Sequence, residues 1–324
     1  MLLSSGGFAV YLAESNVFNL LVPRFGDLSS CSNRERLLDA WLASKLFRSS
    51  GLDASHIRQR ILTDCRSGGD FLRIMMTEIC ARQGMQRWAE NSPETMLYLP
   101  IVKQLIPEAL VIHIIRDGRD VASSLARVRY VRPFPWENIY GLIGCGLYWE
   151  WIVQKGREFG QAMGADYMEV HFEDLLGRSQ ETLDQIGRFI DHPLDYATIQ
   201  SVAYASVSKP NTSFQDQSSN ARFNPVGRWK TSFSTGELMR FEQLVGKTLQ
   251  EVGYTLATSP ATRDTVDLKA TRLFHRSYFV AKFWYKNNRL IRALRPTMKG
   301  PDIDEIVLAD DHPAILKPSR QPAR

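Results

Sequence analysis

The chain has 324 residues, 44% of them apolar and 23% charged, enough to bury a large domain core and carry an extension. No run approaches the roughly 18 uninterrupted apolar residues of a membrane-spanning helix, and the best candidate, Ile139 to Val153, is short and contains Glu150. The net charge of +5 is local: Arg263 to Lys299 holds ten basic residues against two acidic ones, leaving the rest of the chain at −3, so binding to nucleic acid does not follow and is not expected. The four cysteines (Cys31, Cys65, Cys80, Cys145) show neither CxxC pairing nor zinc spacing, and they read as scattered thiols of a reducing, cytoplasmic protein. No histidine spacing suggests a metal, and none is expected.

In chain order, Met1 to Ser5 reads as a helix end, Gly6-Gly7 as a turn and Phe8 to Leu12 as a short strand. A domain whose first residue already sits in a helix pattern looks cut off. Leu37, Leu38, Trp41, Leu42 and Leu46 keep helical spacing over Asn33 to Arg48, and a second helix covers Gly69 to Gln83. Ser92-Pro93 has the form of a capped helix start, with an interruption expected at Pro100. Leu110 to Ile115 is nearly all apolar, as in a parallel strand buried on both faces, and a helix follows from Asp120. A long aromatic-rich helix spans Tyr140 to Met163, and a strand is predicted over Asp166 to His171. Ser179 opens a helix to Ile190. Ser234 opens another through the capping box Ser234-x-x-Glu237, stopped by Gly253. Strands separated by long helices indicate an α/β fold with a parallel sheet. The boundary is placed at 257, giving a domain over 1–257 and a basic, aromatic helical extension with a disordered tail over 258–324.

The segment VIHIIRDGRDVASSLAR, residues 111–127, is the most informative. A strand delivers Arg116 at its carboxyl end, where open α/β sheets bind ligands, and the following helix carries Ser124 in its second turn. A guanidinium fork, a hydroxyl and a helix N-terminus together suit an anion, most naturally phosphate. The residues alone also allow Arg116 to pair with Asp117 or Asp120 and Ser124 to be a packing residue.

Arg116-Asp117-Gly118-Arg119-Asp120-Val121, with Ser124 eight positions after Arg116, resembles the 3′-phosphate motif of the sulfotransferases that use 3′-phosphoadenosine 5′-phosphosulfate (PAPS). Three further segments agree in order. Glu90-Asn91-Ser92-Pro93 after Trp88 is similar to the family's Trp-Gly-Glu-Lys-Thr-Pro element. Residues Glu169 to Leu176 are similar to its Tyr-Glu-Asp-Leu element, and Arg222 to Lys230 to its late Arg-Lys-Gly-x-x-Gly-x-Trp-Lys loop. The resemblance covers roughly residues 1 to 255. It implies a P-loop-like parallel sheet flanked by helices, with PAPS as co-substrate and a hydroxyl-bearing acceptor on carbohydrate, lipid or another molecule. By the same resemblance Arg116 and Ser124 hold the 3′-phosphate, and Arg222 with the backbone near Gly227 closes over it. Phe172 stands where many members place a Tyr against the adenine. Trp229 either lines the nucleotide or belongs to the core.

The branch with a catalytic histidine is excluded, because Asn91 and Pro93 occupy the corresponding places. A second branch, which includes tyrosylprotein sulfotransferases, uses a Glu early in the chain, and Glu14 lies at that place. There a carboxylate at a strand end would take the acceptor's proton; the plainer reading is that Glu14 caps a helix starting at Ser15 or Asn16. Asn91 replaces a Lys, and Ser92 is left as a hydrogen-bond donor for the leaving group. The family's 5′-phosphosulfate loop, of Pro-Arg-Ser-Gly-Thr-Thr type, has no counterpart in the sequence, nor has a Walker motif, which disfavours a P-loop kinase. The expectation is therefore a natural start roughly twenty or more residues upstream of Met1, from the size of one strand and its loop. The alternative is a catalytically inert, sulfotransferase-like binding protein. Finally, residues 272–295 interleave Arg276, Lys282, Lys286, Arg289 and Arg292 with Phe274, Tyr278, Phe279, Phe283, Trp284 and Tyr285. This segment is either a helix packing its aromatics on the domain or a site of peripheral membrane contact.

Overall fold

The computed structural model describes residues 1–127, 131, 141–202, 224–259 and 265–288, and the chain divides into two compact units. The first is built mainly from residues 1–109, and its elements among the described residues are all helical or 3₁₀ turns. A 3₁₀ turn at Leu2–Ser4 precedes Gly6, whose φ of +83° makes the predicted turn. A π-helical turn, Val17–Leu21, runs into α1 (Val22–Phe25), and α2 (Cys31–Leu42), α3 (Lys45–Ser50), α4 (Ala54–Asp64) and α5 (Gly68–Gln83) follow. A 3₁₀ segment, Pro93–Tyr98, leads to α6 (Leu99–Leu105), which starts afresh at the Pro100 predicted to interrupt. The core of this unit centres on fully buried Trp41, met edge-on by Phe47 and Phe71 with ring centroids 5.1 Å away.

Two expectations for this unit change. The single helix over 33–48 is two helices, because Ser44 turns extended and its hydroxyl accepts the Phe47 N–H, capping α3. The strand over Phe8 to Leu12 is a lone parallel bridge between Phe8 and Arg87. The ladder stops there because the Gln83 side chain takes both backbone groups of Val10, its Oε1 accepting the N–H at 2.7 Å and its Nε2 donating to the carbonyl at 2.9 Å.

The second unit holds the sheet and comprises residues 110–196 and 205–288. β1 (Val111–Ile115) leads through Arg116 to α7 (Gly118–Arg127); α8 (Leu142–Met163) crosses to β2 (Tyr167–His171), then come α9 (Phe172–Gly177) and α10 (Ser179–Phe189). The next helix in the chain, α11 (Tyr196–Val202), belongs from Ala197 onward to the first unit, and α12 (Trp229–Ser232), α13 (Thr235–Glu251) and α14 (Val266–Asn287) complete the second. Among the described residues β1 and β2 form a two-stranded parallel sheet in register Val111↔Tyr167 to Ile115↔His171. The expectation of burial on both faces of β1 fails at Ile114, which is 52% exposed while His113 and Ile115 are buried. Period-two alternation sends its side chain to the uncovered face.

Helix α8 is the hub of this unit, lying against α7, α13 and α14. Gly118 permits the closest approach: a Cβ there would stand 2.6 Å from the Trp149 ring. The Trp149 indole N–H then donates to the Arg116 carbonyl at 3.1 Å, fixing the strand end from which Arg116 projects. Ser234 and Glu237 form the predicted capping box, and Gly253 ends the helix at φ +87°. Of the cysteines, Cys65, Cys80 and Cys145 are buried and Cys31 is exposed, all as free thiols.

Candidate functional site

The residues singled out in the sequence divide between the units: Glu14 and Ser92 belong to the first, and Arg116, Ser124, Phe172 and Gly227 to the second. Arg222 lies outside the described residues.

Glu14 sits in the short loop before the π-helical turn, and Asn16, with a left-handed φ of 53°, is the residue that caps that turn. Its carboxyl is half-buried and pushed up to about 7, first by desolvation and then by the neighbouring charges of Glu90 and Glu94. Glu90 is held by two hydroxyls: Ser15 Oγ donates to its Oε1 at 2.8 Å, and Ser92 Oγ donates to the same oxygen. Burial pushes the Glu90 carboxyl up, against the opposing pull of the Ser92 and Ser15 hydrogen bonds. The outcome is a carboxylate pair in which Ser15, next in sequence to Glu14, anchors the partner. Ser92, expected to donate to a leaving group, is 6% exposed and spends its proton on Glu90, while Asn91 is exposed. Glu90 is a candidate site residue that the sequence reading did not single out. Its motif named it, but nothing local pointed to Ser15, seventy-five residues away.

In the second unit, the carboxyl end of β1 gathers the cationic side chains. The Arg116 guanidinium lies 4.9 Å over the Phe172 ring, donates through Nη2 to the Pro225 carbonyl and comes within 3.9 Å of Asp120. Its Nε is buried without a hydrogen-bond partner among the described residues. Desolvation holds this guanidinium below its usual value against the attraction of Asp120 and Glu173, with the like charge of Arg228 nearby adding to the depression. A buried, partly unsatisfied arginine with a second arginine close by is the donor set an anion would complete. Ser124 lies half-buried on α7, its hydroxyl without a partner among the described residues.

The two arginines of the Arg116-Asp117-Gly118-Arg119 run separate cleanly. Arg119 is 4% exposed and is consumed by structure: its Nε and Nη2 engage Asp117, at 2.9 and 2.7 Å, and its Nη1 donates to Glu242 at 2.6 Å. Glu242 would be raised by burial, but N–H and hydroxyl donors from Ala257 and Thr258, with Arg119, hold it below its ordinary value. The Asp117 carboxylate also accepts the Arg119 N–H at 2.9 Å and so caps α7. Gly227, whose neighbouring backbone the sequence reading set over the phosphate, lies in the left-handed region at φ +74°; its N–H donates to Asp120 at 2.8 Å, and the Trp229 N–H donates to the other Asp120 oxygen at 2.8 Å. Asp120 therefore fastens the Pro225–Trp229 turn beside Arg116. Trp229 is 9% exposed under the Arg119 guanidinium, 4.1 Å away, which makes it a core residue. Glu173 ties the same strand end, accepting the Asp117 N–H at 3.0 Å and the Tyr254 hydroxyl at 2.7 Å.

A sequence model of the sulfotransferase family matches residues 12–196. A chain named "Putative protein-tyrosine sulfotransferase" from Caenorhabditis elegans is 26% identical over 166 residues, covering 50% of this chain and 61% of that one. Its namesake from Caenorhabditis briggsae is 25% identical over 166 residues, covering 50% and 56%. The chain thus spans less than two thirds of the length of these relatives. Among solved structures, a sulfotransferase domain from the curacin biosynthetic pathway is similar at 14% identity and a TM-score of 0.48, covering 78% of this chain and 92% of that one.

Proposed function

The chain belongs to the sulfotransferase family, and on that premise we propose that it transfers a sulfuryl group from PAPS to an acceptor hydroxyl. The observation that carries this reading is the buried Nε of Arg116 at the carboxyl end of a parallel strand, without a partner among the described residues. A guanidinium in that state lacks part of its hydrogen bonding until an oxyanion arrives, and burial strengthens whatever anion contact it then makes.

In this reading Arg116 and Ser124 hold the 3′-phosphate, and Asp120 keeps the 225–229 turn in place beside them by binding its backbone N–H groups. Phe172 already supports the guanidinium with its ring face and offers stacking surface to a base, without the hydroxyl a Tyr would add. Arg222 is assigned to the same phosphate from the motif alone. Bound PAPS supplies the activated sulfuryl group. Glu14 takes the acceptor's proton: a carboxyl pushed up to about 7 is a far stronger base than an ordinary glutamate and is still substantially ionised at neutral pH. The like charge of Glu90 helps to raise it, and Ser15 and Ser92 fix Glu90. The acceptor class is open to carbohydrate, lipid or protein hydroxyls; the name of the nematode relatives makes a tyrosyl peptide the first to assay.

A second reading, an inert nucleotide-binding relative, draws on two observations. Asn91 stands where the family motif has Lys, and the Ser92 hydroxyl is already committed to Glu90. One pair of measurements separates the readings: calorimetric binding of 3′-phosphoadenosine 5′-phosphate, and transfer of labelled sulfate from PAPS to a tyrosyl peptide and to carbohydrate acceptors. Turnover that falls by roughly a hundred- to ten-thousand-fold in Glu14→Gln fits a general base. Turnover indifferent to that change removes Glu14 from the chemistry. Binding without turnover on any acceptor selects the inert module. Arg116→Lys keeps the charge but not the fork, and nucleotide affinity should drop about tenfold or more; unchanged affinity would remove Arg116 from the phosphate site.

A further inference from the structure

The aromatic residues of α14 do not form one surface. Phe279 is buried, stacked on Trp151 at 5.7 Å and edge-on to Tyr148 at 5.4 Å, and Phe283 meets Trp151 edge-on at 6.1 Å. Leu268 and His275 are buried on that same side. Arg272 adds two donors to the carbonyls of Leu244 and Gln243 on α13, at 2.8 and 2.7 Å. These contacts fix which side of the helix faces its own unit.

The other side is apolar and open. Val266, Leu273 and Val280 recur at seven-residue spacing and Trp284 follows four later, so they lie on one face, at 85%, 68%, 46% and 59% exposure. Phe274, at 45%, adjoins them. The stripe runs about 27 Å along the helix. On one flank, exposed Lys269 precedes Leu273 by four residues, and exposed Arg276 follows it by three and precedes Val280 by four. From Val266 to Lys299 the sequence holds nine basic residues and one acidic residue, Asp267.

We propose that this face of α14 lies flat on an anionic lipid surface, with Leu273, Val280 and Trp284 entering the acyl boundary while Lys269 and Arg276 meet the headgroups. The combination of the two features selects this partner. A soluble anionic polymer would be gripped by the cations but gives an aliphatic stripe nothing to bury against. A second copy packed face to face would set Lys269 and Arg276 against their own equivalents. A membrane interface takes both, and anionic lipid attracts the basic continuation of the chain as well.

The test is co-sedimentation of the full chain with phosphatidylcholine vesicles, with and without phosphatidylserine, at low and high salt, with equal folding of all variants checked by circular dichroism melting. The chain should sediment with the phosphatidylserine vesicles, less at high salt. Leu273→Ser with Trp284→Ser should weaken partitioning by at least about tenfold, and Lys269→Glu with Arg276→Glu should weaken it on anionic vesicles. A wild-type chain that stays in the supernatant overturns the proposal. So does sedimentation unchanged in the Leu273/Trp284 variant, or a vesicle-free dimer that this variant dissociates.

Discussion

Replacing Glu14 with Gln tests the carboxylate pair without any need for an acceptor substrate. Below about pH 4.5 the Glu14 carboxyl is protonated in both the folded and the unfolded chain, and the substitution merely exchanges an acid for an amide. As pH rises from 4.5 towards about 7 the unfolded chain releases this proton while the folded chain retains it. The wild type therefore loses stability across that window, and the Gln variant is spared the loss. At about 1.4 kcal/mol per tenfold change in proton concentration, the interval corresponds to about 3 kcal/mol. Partial solvent access to the half-buried group trims this to about 2–3 kcal/mol. Urea denaturation of both proteins at a series of pH values should show Glu14→Gln gaining on the wild type until about pH 7 and then running parallel to it. A stability difference that stays flat with pH would refute the argument that Glu14 is desolvated beside Glu90. A wild type that gains on the variant with rising pH would reverse its sign.

Three other substitutions test the second unit. Gly118→Ala forces a methyl to 2.6 Å from Trp149 and should cost about 1–3 kcal/mol in thermal or urea unfolding; a neutral change would mean that α7 and α8 do not pack so closely. Arg119→Ala leaves Asp117 and Glu242 buried without their cation and should cost about 3–5 kcal/mol, measured by urea unfolding against Arg116→Ala, which should cost less. Asp120→Ala strands the N–H groups of Gly227 and Trp229, so a loss of about 2 kcal/mol or more is expected, with faster hydrogen exchange at those two amides as the specific readout.

What was legible in the sequence was whatever local chemistry decides. The β1–α7 unit could be read because an apolar run, a Gly-containing turn and the amphipathic pattern up to Arg127 are contiguous. The Ser234–Glu237 capping box needs only four residues to be recognised. The break at Ser44 was written locally too, but Leu42 and Leu46 keep helical spacing across it and hid the new N-terminus. Other features depended on partners far along the chain. Gln83 takes the backbone groups of Val10 from seventy-three residues away, and the two arginines of one motif part company because Glu242, 123 residues on, claims Arg119. Likewise, Gly227 faces Asp120 because a carboxylate 107 residues earlier is buried beside it and needs donors. For the candidate site, the residue types and the first arginine were readable, whereas the hydrogen-bond economy that decides which groups are still available was not.

The cysteines carry a practical consequence. Burial pushes the Cys65 thiol up to about 11 and the Cys145 thiol to about 12, and raises Cys80 as well. All three are therefore shielded and protonated at neutral pH, the condition in which a thiol does not attack an electrophile. Cys31, at the exposed start of α2, is the one accessible thiol among the four. A maleimide dye or spin label should attach there alone while the chain is folded, and at four positions once it is denatured. The wild-type sequence thus carries its own single-site handle in the unit that holds Glu14, and the stoichiometry of labelling reports whether that unit is intact.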